Sequence, residues 1–105
     1  MGHSLPSTSD AAVLSALCRR FHVHRLDQFG SAATGRFDPA RSDLDFLVEF
    51  EPVEPAVYAD AYFGLRESLI SLFGRSVDLV TEASLANPYF RRRVLAERQT
   101  LFRGS

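Results

Sequence analysis

The sequence runs to 105 residues, is 46% hydrophobic, and sets 12 arginines against 13 acidic residues for a formal charge of −1. A chain of this length is expected to form one small domain (1–105) whose thin core would gain from docking on a partner. The charge argues against a general nucleic-acid binder, which is usually clearly basic, while leaving room for a local basic patch. All the basic residues are arginine, which excludes a P-loop and lysine Schiff-base chemistry. Cys18 is the lone cysteine, so no intramolecular disulfide forms, and a reducing compartment fits. No apolar run approaches membrane-span length, and Met1–Ser9 lacks the residue order of a secretion signal. The expectation is therefore a cytoplasmic protein with no membrane partner.

Thr8-Ser9-Asp10 reads as a helix start, with a capping hydroxyl and an early acid. Val13, Leu14, Leu17, Cys18 and Phe21 follow at helical spacing and form one apolar stripe. Cys18 reads as a small core residue, since nothing near it in the sequence would activate a nucleophile. His22 and His24 read as exposed residues leading into a strand rather than as metal ligands. Val23–Phe29 is the first strand and ends on Gly30. A short helix after it is expected to stop at Gly35, with a loop over Arg36–Arg41. Asp43–Phe50 is the second strand. It is almost continuously apolar after its carboxylates, the pattern of a central strand buried on both faces. The short connection between these strands makes them antiparallel. A turn at Glu51–Pro55 precedes a helix to about Phe73, with Tyr58, Tyr62, Leu65, Leu69 and Leu72 on one face and Gly74 as its stop. The two tyrosines read as core packing rather than as a base-stacking platform. Ser76–Thr81 is the third strand, parallel to the second because a crossover helix joins them. In the tail, Pro88 suits a first helical turn, and Phe90, Val94 and Leu95 are expected to bury one side. The triplet Arg91-Arg92-Arg93 reads as a solvated face, though a phosphate or an acidic partner has use for it. Leu101-Phe102 is expected to make a last edge contact.

The chemistry concentrates in Gly30–Asp45. On a strand, residues i and i+2 share a face, so Asp43 and Asp45 project together while Leu44 and Phe46 point the other way. Two carboxylates at the mouth of a buried strand are costly without compensation. The usual compensator is a divalent cation, and a few hard oxygens suit Mg²⁺ completed by water and phosphate oxygens. Gly30 permits a sharp turn and close approach of a ligand to the backbone. Ser31 adds a hydroxyl and an N–H, and a helix starting there would offer further N–H groups to an anion. Ser42 is placed to tie the loop to a backbone group. Asp78 sits early in the third strand, and parallel pairing brings it to the edge occupied by Asp43 and Asp45. A lone Asp in so apolar a strand calls for a use; a capping or salt-bridge role with an arginine is the alternative.

Gly30-Ser31, Gly35, Ser42-Asp43-Leu44-Asp45 and Val77-Asp78-Leu79-Val80 together resemble the DNA polymerase β-like nucleotidyltransferase superfamily. More narrowly they resemble its minimal nucleotidyltransferases, single domains often found as antitoxins paired with HEPN toxins. The resemblance spans residues 10–102 and includes the tail Asn87-Pro88-Tyr89-Phe90. It departs in two places. The loop between Ser31 and Asp43 is one residue longer than is common in the group, and Thr34 stands where many relatives have Arg. The resemblance implies an α/β (α+β) nucleotidyltransferase fold, a small mixed sheet of three or four strands flanked by helices. It implies that Gly30 and Ser31, with Gly35 and Ser42, bind a nucleoside triphosphate. It implies that Asp43, Asp45 and Asp78 hold Mg²⁺ in a two-metal site, and that Asp78 draws the proton from the acceptor hydroxyl. The activity implied is transfer of AMP from ATP to a tyrosine of a partner HEPN-type RNase toxin. Two other readings stand beside it: a non-catalytic antitoxin that neutralises its partner by binding, and a catalytic subunit that modifies a small molecule or RNA end with a helical partner.

Overall fold

The computed structural model describes residues 8–30 and 43–104. Gly35, Thr34 and the expected short helix and loop before Asp43 lie outside the described residues, as do Ser31 and Ser42. The chain order is α1 (Thr8–Arg20), β1 (Val23–Phe29), β2 (Leu44–Phe50), α2 (Pro55–Phe73), β3 (Val77–Thr81), a 3-10 turn (Glu82–Ala86), α3 (Pro88–Glu97) and β4 (Gln99–Arg103). The four strands form one mixed sheet in the order β3-β2-β1-β4. β1 runs antiparallel to both β2 and β4, and β2 runs parallel to β3. The expected Leu101-Phe102 edge contact is the fourth strand, with Phe102 opposite Leu26.

Alternation along the strands divides the sheet into two faces. Leu26, Leu44, Phe46, Val48, Val77 and Leu79 point to one face, where they pack with Leu14 and Cys18 of α1 and with Ala61, Leu65 and Leu69 of α2. Phe29 and Leu47 point to the other, where Val94 of α3 covers them with Val80, Leu85 and Phe90 alongside. β2 is thus buried on both faces, which accounts for its apolar run. α2 keeps to its expected bounds for local reasons. Pro55 starts it, and Gly74 ends it in the left-handed conformation (φ +68°), its N–H donating to the Ile70 carbonyl at 2.8 Å. Tyr58 packs edge-on against Phe50, and the Tyr62 hydroxyl donates to the Leu79 carbonyl at 2.6 Å, so both tyrosines serve the core. α3 begins at Asn87, whose Oδ1 accepts from the N–H groups of Tyr89 and Phe90, satisfying donors that a first turn leaves open. No described helix is long and apolar enough to cross a membrane.

Two members of the expected apolar faces are not buried. Val13 is 47% exposed and Leu95 50% exposed. Helical spacing selects a stripe wider than the contact its neighbours make, and the strip nearest the solvent stays wet. Cys18 is fully buried, and burial pushes its thiol up to about 12, so it stays protonated and unreactive. His22 is exposed and adopts a positive φ of 60° at the turn into β1. These placements predict a sharp contrast on α1. Leu14→Ala is expected to lose about 2–5 kcal/mol of unfolding free energy, whereas Val13→Ala changes it by no more than about 0.5 kcal/mol; urea denaturation of both variants measures the difference.

Candidate functional site

The site forms at the edge of the sheet where β1 ends and β2 and β3 begin. Its centre is a register fact: Asp45 is the direct partner of Asp78 in the parallel pair, and Phe29 is the partner of Asp45 in the antiparallel pair. Direct partners in a sheet carry their side chains on the same face. Asp45 and Asp78 therefore lie side by side on the face covered by α3. Asp43 immediately precedes β2 and is exposed, and Asp78 is exposed as well; Asp45 is half-buried. The structure thus places Asp45 and Asp78 together as the sequence led us to expect, with Asp43 at the entrance.

Gly30 closes the site from the β1 side. Its φ is +79°, and a Cβ built on it would run into the Asp45 Oδ2 atom. Only glycine combines that backbone with that close approach to a carboxylate. The Gly30 N–H donates to Glu97 Oε1 at 3.1 Å, tying the end of β1 to the last turn of α3. The same Oε1 pairs with Arg93 Nε at 3.3 Å, and the Arg93 guanidinium lies 5.8 Å from the centroid of the Phe29 ring.

The electrostatics are strongly anionic. Burial raises the Asp45 carboxyl above its ordinary range, and the negative charges of Asp78, Asp43 and Glu97 push it further, with Arg93 opposing them. An oxygen-rich anionic cluster of this kind fits a hard divalent cation. Among the described residues no three His, Cys, Asp or Glu side chains converge into a complete ligand group. A cation here would keep water or ligand oxygens in its shell, as Mg²⁺ characteristically does.

Sequence reasoning left the supporting side chains unassigned. Asp27 is 1% exposed, accepts from Arg25 Nε at 3.1 Å and forms an ion pair with Arg98 Nε at 3.3 Å. Arg98 caps α3, so this ion triad fastens the helix to β1 one residue beyond Glu97. Breaking such a buried cluster from one side costs about 3–5 kcal/mol, less here because both arginines are about a fifth exposed. The Arg93-to-Glu97 pair carried a signal in its i,i+4 spacing. The Gly30-to-Glu97 contact had none, since 67 residues separate its partners. Gln28, fully buried on β1, has side-chain atoms without a hydrogen-bond partner among the described residues.

Comparison with known proteins bears on this geometry. A family model described as "Nucleotidyltransferase domain" matches residues 11–101. A protein from Methanocaldococcus jannaschii, named as a candidate protein adenylyltransferase, is 33% identical over 75 residues, covering 71% of this chain and 73% of that protein. Among solved structures, a candidate minimal nucleotidyltransferase superposes with a TM-score of 0.69 at 34% identity, covering 87% of this chain and 88% of its own. The tri-AMPylated HEPN toxin of Shewanella oneidensis in complex with an MNT antitoxin contains a chain that matches with a TM-score of 0.59 at 20% identity, covering 91% of this chain and 71% of that one. A toxin–antitoxin crystal structure with AMP-PNP matches with a TM-score of 0.65 at 22% identity, covering 94% and 76%. These last two likenesses are of fold, a mixed α/β sheet of the nucleotidyltransferase kind.

The raised Asp45 carboxyl has a thermodynamic consequence. A group that binds its proton more tightly in the folded state stabilises that state at low pH, and this stability is lost as pH rises through the raised folded value. Above that raised value the ionised Asp45 therefore destabilises the cation-free protein. Asp45→Asn is expected to raise the Tm at pH 7 without divalent cations, by up to about 4 °C for a domain of this size and a half-exposed group. The gap should close as pH falls to about 4; thermal melts across that range measure it.

Proposed function

The chain belongs to the nucleotidyltransferase domain family, and on that premise we propose that it transfers AMP from ATP to a hydroxyl of a partner protein. We take that partner to be a HEPN-type toxin, the acceptor to be one of its tyrosines, and this chain to be the antitoxin of the pair. The observation that carries the reading is the pairing of Asp45 with Asp78 beside the Gly30 turn. Carboxylates meet there beside a backbone position that glycine alone can fill. The names of the relatives at 33–34% identity support nucleotidyl transfer. The company that the fold keeps in the toxin–antitoxin complexes supports a protein acceptor.

In this reading Gly30 and Ser31 bind the triphosphate, with Gly35 and Ser42 as further nucleotide-binding residues. Asp43 and Asp45 would hold Mg²⁺ against the phosphates, and Asp78 would help hold a second ion. The anionic donor set fits that role, since its own repulsion is relieved by a cation. Bound Mg²⁺ supplies neutralisation of charge on the triphosphate. The acceptor oxygen forms its bond to the α-phosphorus as the bond to pyrophosphate breaks, and Asp78 takes the proton that the hydroxyl releases. Position and charge carry most of the acceleration in transfers of this type.

Intact-mass spectrometry of the chain with its genomic neighbour, after incubation with ATP and Mg²⁺, tests this directly. An added AMP mass on the neighbour is expected. It should disappear with EDTA and fall about a thousandfold or more in rate in Asp43→Asn/Asp45→Asn, the scale of several kcal/mol of lost charge stabilisation. A stable complex that gains no mass and forms equally with the double variant would establish instead an antitoxin that acts by binding alone.

A further inference from the structure

Two side chains of α3 reach the mouth of the sheet without a role in the reading above. Glu97 Oε1 accepts two donors at once, the Gly30 N–H at 3.1 Å and Arg93 Nε at 3.3 Å. A backbone N–H at a glycine turn and a guanidinium converging on a single anionic oxygen make an anion seat. The protein's own carboxylate sits in it. Among the described residues Arg93 spends only its Nε on that bond, and its side chain is 53% exposed, which leaves the Nη pair for an incoming group. Its position is fixed from below by the Phe29 ring, 5.8 Å away, and Phe29 pairs with Asp45 in the sheet. Arg93 also offsets the Asp45 charge, so it already lies within the field of the acidic cluster.

We propose that Arg93 is a phosphate-binding residue of this site and that Glu97 is its positioning residue, a built-in stand-in for phosphate. This rests on the reading that the site binds a nucleoside triphosphate. With no nucleotide, Glu97 holds both the turn and the arginine in place. A phosphate group carries more charge than a carboxylate and engages the guanidinium through two oxygens, so it displaces Glu97 from both donors. Glu97 then has reason to leave, because a carboxylate beside a phosphate is a like-charge contact. The arrangement keeps the Gly30 turn ordered before substrate arrives and favours tri- over monophosphates.

Calorimetric titration with ATP and with AMP, both in Mg²⁺ buffer, tests this on the wild type, Arg93→Gln, Arg93→Lys and Glu97→Gln. Arg93→Gln should weaken ATP about tenfold or more and AMP by no more than about twofold, since one charge-assisted hydrogen bond accounts for a factor of that order. Arg93→Lys keeps the charge without the fork and should fall between. Glu97→Gln, nearly isosteric and a poorer anion, should tighten ATP severalfold by removing the internal competitor. Equal losses for ATP and AMP in Arg93→Gln would make Arg93 a purely structural residue and overturn the proposal. Weaker ATP binding by Glu97→Gln would overturn it too. A wild type that binds ATP while Arg93→Gln binds it equally well overturns the seat and leaves the nucleotide site standing. A wild type that binds neither nucleotide overturns the nucleotide reading and the seat with it.

Discussion

Asp45 and Asp78 stand opposite one another across two parallel strands, held there by the packing of the strands that carry them. Left to themselves, two like charges at strand partners push the strands apart. What holds them is the face beneath. Leu44 pairs with Val77 and Phe46 with Leu79, all four buried under α2. Slipping this register by one residue would turn those apolar side chains out and the carboxylates in. Full burial of each such side chain contributes about 1.5–3 kcal/mol, which outweighs the repulsion of two partly hydrated carboxylates. The hydrophobic core thus maintains an electrostatic arrangement that would not assemble by itself. That is the form expected of a site whose missing charge arrives with its ligand.

The opposite face has a different task. α3 starts at the Asn87 cap, packs Val94 against Phe29 and Leu47, and is fastened at its end by Arg98 on Asp27. Those three attachments place Glu97 over Gly30, so the tail of the chain reaches back to the end of β1. The acidic edge is therefore built from three segments far apart in sequence: the Gly30 turn, the strand openings at Asp45 and Asp78, and the last turn of α3. β4 continues directly from that turn and pairs with β1, which locks the return path.

Much of this was legible in the residues. α2 falls where helical spacing and the Gly74 stop put it, because those signals are local, and β1 keeps the bounds expected of it. The parallel alignment of Asp78 with Asp45 followed from a crossover rule that leaves little choice of topology. What could not be read depended on distance or degree. Helical spacing marked Val13 and Leu95 as apolar-face residues, but how wide a strip a neighbour covers is set by packing, not by period. Asp27 drew no assignment from the sequence, because its two arginines come from its own strand and from the far end of the chain. Arg93 read as part of a solvated arginine face, and only the fold lays Gly30 against its partner Glu97.

The measurement that bears most directly on the paired carboxylates is a titration of the ¹⁵N-labelled protein with Mn²⁺, a paramagnetic substitute for Mg²⁺, followed by NMR line broadening. The account predicts broadening centred on Gly30, Asp43, Asp45 and Asp78, displaced by excess Mg²⁺ and lost in Asp45→Asn. Broadening centred on another acidic patch, or unchanged by Asp45→Asn, would contradict it.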